Sequence, residues 1–171
     1  GMELSTFTPG ATTSGFTRKS TSVGPWLENP AMMPSLPLTK YCRDAVRVAE
    51  ELLTREKVQV LMGTFASNVG LAVANLAHQR KVLFVASEPL TDKIVWENGN
   101  RYTFRLRPST YMQVAMLVPE VAKLKKQRWA IVYPNYEYGQ SATASFKKLL
   151  SKAQPGAQFV AEQAPALGKI E

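Results

Sequence analysis

Apolar residues along most of the chain follow two alternating patterns, one with helical spacing and one of short continuous runs. The helical pattern predicts helices at Arg43–Glu56, Asn68–Gln79 and Tyr138–Ser151. It also predicts a helix that is capped by Ser109 or Thr110 and runs to about Leu124. The continuous runs predict strands at Val58–Met62, Val82–Ala86, Trp129–Tyr133 and Gln158–Glu162, with a further extended segment at Tyr102–Arg107. Strands that alternate with helices of this length form βαβ units. The pattern therefore predicts an α/β fold of parallel sheets flanked by helices, with the strands buried on both faces.

Residues 1–40 show neither pattern and are rich in Ser, Thr, Pro and Gly. Prolines at positions 25, 30, 34 and 37 exclude a long helix there, so we expect an irregular arm. The apolar residues of this arm are expected to dock on a surface or on a second chain; they are Trp26, Leu27, Met32 and Met33.

The segment Val58–Gly70 carries the clearest functional signal of the chain. It predicts a buried strand that breaks at Gly63 and restarts as a helix. A helix N-terminus at the carboxyl end of a strand presents free backbone N–H groups and the positive end of the helix dipole. In open α/β sheets, ligands bind at this edge. The segment therefore predicts binding of a small anionic or zwitterionic ligand.

Charge and composition restrict the function classes further. The 171 residues carry a net charge of +8, and 45% of them are hydrophobic, enough for one domain or for parts of two lobes. The excess charge is diffuse, with one cluster at a predicted helix end, formed by Lys123, Lys125, Lys126 and Arg128. Cations at a helix C-terminus interact well with the dipole, so this cluster is interpreted as a solvated helix end and no nucleic-acid partner is predicted.

The sequence offers little for catalysis, cofactors or metals. Cys42 is the single cysteine and His78 the single histidine, and His78 falls inside a helical pattern, which disfavours a nucleophilic pair. No disulfide, metal site or cofactor is predicted. A nucleotide-using or flavodoxin-like enzyme is disfavoured because the Gly-rich phosphate motifs are absent. No apolar run spans a membrane, and no secretory signal is visible.

The order and spacing of several segments resemble periplasmic substrate-binding proteins of ABC transporters, and more narrowly the branched-chain amino acid (leucine/isoleucine/valine) binding type. The resemblance covers about three-quarters of the chain. The segments that carry it are Asp44–Leu52, Leu61–Ser67, Val82–Ser87, Tyr102–Arg105, Ala130–Tyr133 and Tyr136–Gly139.

This resemblance implies a type I periplasmic-binding-protein-like fold with two lobes that close on a ligand. Residues 41–108 would form part of the first lobe and 109–171 part of the second, with a crossing strand at Arg105–Ser109. The implied ligand-binding residues are Ser67 for the carboxylate, Phe65 for the side-chain pocket, Ala86 and Ser87 in a second loop, and Tyr138 in the second lobe.

The implied function is that of a solute-binding component of an ABC uptake system. Its ligand would be a small hydrophobic amino acid or an aromatic or aliphatic carboxylate, its protein partner a membrane permease and its location the periplasm. No covalent chemistry is implied. The alternative is a ligand-sensing or protein-interaction module on the same fold, because fold alone does not fix function.

The chain departs from the family pattern at three places. Residues 1–40 lack the family's first strand with its Gly-rich contact loop, and the remainder of the second lobe, with its acidic ligand contact, is missing. Many members also have a cysteine at the position of Ala66. We therefore expect a truncated fragment with incomplete lobes. Exposed strand edges in such a fragment predict a homo-oligomer.

Overall fold

The computed structural model describes residues 38–166 as an alternation of helices and strands. In chain order the elements are α1 (Leu38–Thr54), β1 (Val60–Gly63), α2 (Ser67–Arg80), β2 (Leu83–Ala86), a 3₁₀ helix (Asp92–Ile94), β3 (Thr103–Arg105), α3 (Thr110–Lys123), β4 (Arg128–Val132), α4 (Glu137–Ala153) and β5 (Gln158–Gln163). This order confirms the predicted α/β class, with element ends that differ from the prediction by a few residues.

The largest difference concerns the start of α1. The sequence pattern predicted a helix from Arg43, but α1 already begins at Leu38. Tyr41 and Cys42 are partly buried, so the packed face of the helix extends further toward the N-terminus than the pattern indicated. The irregular arm predicted for residues 1–40 is thus wrong at its last three positions, and the rest of it lies outside the described residues.

The first sheet is parallel and has the strand order β1-β2-β3. Leu61 pairs with Phe84, and Phe84 pairs with Thr103 on the other side. One face packs against α2 and forms a core that contains Leu61, Phe84, Val73 and Ala77. These buried side chains hold the carboxyl ends of the three strands at a common edge.

The opposite face of this sheet differs from the sequence expectation. Val60, Met62, Leu83 and Phe104 alternate with the buried positions and are exposed. The apolar runs predicted strands covered on both faces, but within residues 38–166 only one face of β1–β3 is buried, because no described element packs on the other.

A second, two-stranded parallel sheet pairs β4 with β5, and a bulge interrupts the register between Trp129 and Ala130. Its core contains Val114 and Val118 of α3 and the fully buried Leu150 of α4. Of the two predicted caps of α3, Ser109 is the one observed, since its Oγ accepts a hydrogen bond from the backbone N–H of Met112 at 3.2 Å. Among the helices of residues 38–166, none combines the length and apolar character that crossing a membrane requires.

A polar cluster around the carboxylate of Asp92 joins the two sheet systems. Thr110 Oγ1 donates to Asp92 Oδ2 at 2.6 Å, and the backbone N–H of Tyr111 donates to the same oxygen at 3.1 Å. Ser141 Oγ, on α4, donates to it at 3.3 Å. Asp92 therefore acts as an external cap on the N-terminus of α3 and links it to α4.

A second set of contacts fixes α4 against the loop that precedes the 3₁₀ helix. Fully buried Thr91 donates through Oγ1 to Glu137 Oε1 at 2.8 Å, and Lys93 Nζ lies 3.2 Å from Glu137 Oε2. Arg105 Nη1 donates to the carbonyl oxygen of Thr91 at 3.1 Å. Burial lowers the pKa of the Arg105 guanidinium, and the nearby negative charge of Asp92 opposes that shift.

Candidate functional site

The chain turns sharply where β1 ends and α2 begins. Gly63 has a φ of +135° and Thr64 a φ of +67°, a left-handed conformation that is uncommon for a residue other than glycine. Phe65 follows this turn and is 71% exposed. The strained turn and the exposed ring lie together at the carboxyl end of β1, the sheet edge at which ligands bind in open α/β folds.

Ser67 has a different role from the simple helix cap that its position suggests. The N-cap of α2 is Ala66, and no side chain caps this helix. Ser67 is 2% exposed, and its Oγ accepts hydrogen bonds from the backbone N–H groups of Leu90 and Thr91, both at 3.2 Å. The hydroxyl thus ties the loop after β2 to the start of α2.

The same loop approaches α2 closely at Gly70. A Cβ atom at this position would lie 2.4 Å from Cγ of Pro89, so only glycine permits the contact. Together with Ser67, this close packing places the loop Ser87–Thr91 beside the carboxyl end of β1. The loop and the β1–α2 turn therefore form one side of a cleft.

The N-terminus of α4 forms the other side. Tyr136 is its N-cap, again without a side-chain cap hydrogen bond. The rings of Tyr136 and Tyr138 lie 6.1 Å apart between centroids. Burial raises the pKa of Tyr136, and the neighbouring Tyr138 adds to that shift, so the Tyr136 phenol stays neutral near pH 7.

A cavity of about 420 Å³ lies between these two sides. Its lining residues are Phe65, Ser67, Glu88, Leu90, Arg107, Tyr136 and Tyr138. They come from the carboxyl ends of all three strands of the first sheet and from the start of α4. This is the sheet edge at which ligands bind in open α/β folds.

Three of the five predicted site residues line this cavity, namely Phe65, Ser67 and Tyr138. The other two do not line it: Ala86 is fully buried in the core, and Ser87 Oγ donates to the carbonyl oxygen of Thr64 at 3.2 Å. Neither of these side chains faces the cavity, although both residues belong to the strand end and loop that shape it.

Sequence reasoning missed four lining residues, and they are Glu88, Leu90, Arg107 and Tyr136. A signal existed for Arg107, which ends the predicted extended segment and therefore lies at the carboxyl edge of the sheet. Its Nη1 lies 2.9 Å from Glu88 Oε2. No local pattern indicated this pairing, because the two residues are 19 positions apart.

The chemistry of the cavity suits binding rather than covalent catalysis. Aromatic and aliphatic side chains form its walls, with one cation and one carboxylate at its rim. Cys42 accepts a hydrogen bond from Asn68, and the ring of His78 is tilted against that of Tyr102, with 6.2 Å between the ring centroids. Neither Cys42 nor His78 lines this cavity. In the part of the chain that the structure describes, no group of acidic, His and Cys side chains is suited to hold a metal ion.

Three cavities larger than this one lie elsewhere on the described surface. One of about 560 Å³ runs along α2 toward Asn98–Asn100, one of about 690 Å³ lies between α1 and α2, and one of about 480 Å³ follows β3 and the segment after it to Met112. The first two are formed by the sides of helices and by turns, and the third meets the end of one strand only. We favour the smaller cavity because it alone of the four is lined from beyond the carboxyl ends of all three strands and from the start of α4, where backbone N–H groups are available.

Comparison with known proteins agrees with the α/β fold described above. A family model described as periplasmic binding protein matches residues 43–171. A solute-binding protein of an ABC transporter from Rhodopseudomonas palustris BisB5, solved with 3,4-dihydroxybenzoic acid, is 26% identical with a TM-score of 0.67. The match covers 74% of this chain and 34% of that one.

Two further structures extend the comparison. A solute-binding protein of an ABC transporter from R. palustris HaA2, solved with p-hydroxybenzoic acid, is 30% identical over 72% of this chain and 33% of its own, with a TM-score of 0.62. An amino acid ABC transporter substrate-binding protein from Pseudomonas fluorescens Pf-5 shares the fold at 24% identity, over 78% and 36% of the two chains, with a TM-score of 0.65. The comparison with curated proteins gave no match. The chain spans about a third of the length of these solved structures.

Proposed function

The chain belongs to the periplasmic binding protein family, and from this premise we propose that it is a solute-binding component of an ABC uptake transporter. The ligand is a small hydrophobic amino acid or an aromatic or aliphatic carboxylate, held in the cavity between Phe65 and Tyr138. The fold and family are those of non-enzymatic binding proteins of the periplasm. The location of this chain, its ligand and its permease partner are parts of the proposal.

One observation carries the proposal: a single cavity brings together residues from separate elements that the sequence had singled out. Its volume of about 420 Å³ falls within the range of small-molecule sites. The rings of Phe65, Tyr136 and Tyr138 supply apolar surface for the body of a ligand. The uncapped N-termini of α2 and α4 supply backbone N–H groups for its carboxylate.

Residues 41–108 and 109–171 are proposed to act as the two lobes of this site. Ligand that contacts Phe65 in the first and Tyr138 in the second stabilises their closed arrangement and shifts the equilibrium toward it. The closed form then docks on the permease. Ala86 and Ser87 stay predicted ligand neighbours through their backbone groups only, since the side chain of Ala86 is buried and that of Ser87 is hydrogen-bonded.

Thermal unfolding against a panel of amino acids and small aromatic acids tests the proposal. A ligand that binds only the folded state stabilises it by about 2.7 kcal/mol at a hundredfold excess over its Kd. We expect a selective rise in Tm with at least one member of the panel. If no compound of the panel raises the Tm of a protein that unfolds cooperatively, the proposal is contradicted.

Phe65→Ala is the variant of choice for this test, because the ring is exposed and its removal costs little stability. The variant should lose the ligand-induced rise while keeping the Tm of the free protein. Phe104→Ala is the matched control, since Phe104 is also an exposed ring but lies outside the cavity. Ser67→Ala is less suitable, because loss of its hydroxyl also releases the loop at Leu90 and Thr91.

Self-association stays a prediction of the sequence. The exposed apolar face of β1–β3 is consistent with it, and the mass in solution tests it directly. A monomeric mass together with a cooperative unfolding transition would contradict it.

A further inference from the structure

The rim of the candidate cavity carries a charged pair whose members come from different strand ends. Arg107 Nη1 donates to Glu88 Oε2 at 2.9 Å, and the side chains of Arg107 and Glu88 are 53% and 39% exposed. The other described residues that line the cavity are uncharged at neutral pH. Arg107 is therefore the one cation among these lining residues.

The backbone places Arg107 at this rim. Leu106 N–H donates to the carbonyl oxygen of Ala86 at 3.1 Å, which continues the pairing of β2 with β3 beyond Arg105. Arg107 thus lies beside the loop that carries Glu88. Arg105 cannot take the same role, because its guanidinium is turned toward the Thr91 carbonyl oxygen beneath that loop.

We propose that Arg107 receives the carboxylate of the ligand together with the backbone N–H groups of the helix N-termini, and that Glu88 is the counter-ion that Arg107 exchanges on binding. This inference rests on the proposed function, since it assigns a residue to one end of the bound solute. Binding then replaces an internal ion pair with an intermolecular one. The aromatic body of the cavity holds the remainder of the ligand.

The energetics of the pair favour such an exchange. An ion pair this exposed contributes little to stability, so breaking it costs little. A planar guanidinium forms two parallel hydrogen bonds with a carboxylate, a geometry in which Arg differs from Lys. The single contact to Glu88 involves one nitrogen of the fork, which leaves donors available for a second carboxylate.

The pair also determines selectivity. A ligand with a neutral carboxamide cannot replace Glu88 as the counter-ion of Arg107. The site should therefore bind a carboxylate ligand more tightly than the amide of the same shape. Glu88 itself competes with the ligand for Arg107. Removing the charge of Glu88 should therefore strengthen binding of a carboxylate, whereas removing that of Arg107 should abolish the preference.

Titration calorimetry with two matched probe pairs tests this assignment. The probes are 4-hydroxybenzoate against 4-hydroxybenzamide, and L-leucine against L-leucinamide. For the pair whose acid binds, we expect wild type to favour the acid by about tenfold or more, equivalent to about 1.4 kcal/mol. Arg107→Gln should lose that preference through a weaker Kd for the acid, and Glu88→Gln should bind the acid more tightly by about threefold or more.

The controls separate the possible failures. Arg80→Gln removes a comparably exposed arginine that pairs with Glu50, away from the cavity, and should leave both affinities unchanged. Arg107→Lys keeps the charge without the fork and should bind the acid with intermediate affinity. Circular dichroism of each variant verifies that it is folded.

An unchanged acid-over-amide preference in Arg107→Gln would overturn the role of Arg107 and leave the proposed function intact. Wild type that binds none of the four probes would contradict both the proposed function for these ligand classes and the assignment that rests on it.

Discussion

Replacing Asp92 should destabilise the protein far more than an ordinary surface change, because its carboxylate joins α3 and α4 to the first sheet. Two of its contacts lie at full hydrogen-bond distance, from Thr110 Oγ1 at 2.6 Å and from Tyr111 N at 3.1 Å. A hydrogen bond to an ionised acceptor contributes about 1.5 kcal/mol or more. Asp92→Ala should therefore lower the free energy of unfolding by about 3 kcal/mol.

The assay is urea denaturation together with thermal unfolding. A loss of this size lowers Tm by about 10 °C in a domain of about this length. Asp92→Asn keeps one acceptor oxygen but loses the charge, so its loss should be intermediate. Asp44→Ala removes an exposed aspartate on α1 and serves as the control, with an expected change within about 0.5 kcal/mol.

A double-mutant cycle isolates the contact itself. Asp92→Ala and Thr110→Val, measured singly and together, should give a coupling energy of about 1 kcal/mol or more, since both remove the same hydrogen bond. Additive effects of the two substitutions, or a loss below 1 kcal/mol in Asp92→Ala, would refute the reasoning that this carboxylate holds the two sheet systems together.

Two further predictions concern the second sheet system. Gly139→Ala should destabilise the protein by about 2 kcal/mol in urea denaturation, because the new Cβ would lie 2.1 Å from the Pro134 carbonyl oxygen. Gly156→Ala is the control and should be neutral or slightly stabilising, because no atom lies nearer than 3.8 Å to its new Cβ. Equal effects of the two substitutions would contradict this prediction. NMR titration should find the pKa of Glu162 below the ordinary glutamate value, mainly because Lys147 donates a hydrogen bond to its carboxylate. The contribution of Glu162 to stability is therefore present above its unfolded-state pKa and is lost as the pH falls through its folded-state pKa. Lys147→Gln should move that pKa upward, and an unchanged pKa would contradict the assignment.

The elements of the fold could be predicted from the sequence because they depend on local patterns. The run that breaks at Gly63 and restarts as a helix at Asn68 indicated a strand, a sharp turn and a helix, and each is present, with α2 beginning one residue earlier, at Ser67. The capping role of Ser109 was equally local. The start of α1 was missed because burial at Tyr41 and Cys42 depends on contacts with the rest of the fold.

The site was predictable only in part, because its polar contacts join residues distant in sequence. Phe65 and Ser67 follow a strand end, a position that sequence alone identifies. The hydroxyl of Ser67, however, is engaged by backbone groups 23 and 24 residues away. Arg107 and Glu88 meet only after β2 and β3 have paired. Such tertiary contacts leave no periodic signal in the chain.

The central claim is that ligand binds between Phe65 and Tyr138 rather than in either of the larger cavities on the helices. Amide NMR spectra, recorded while the ligand that raises Tm is added, test it most directly. The account predicts that the largest shift changes fall on Phe65, Ser67 and Tyr138. Shift changes confined to the α2 cavity around His78 and Gly99 would contradict it.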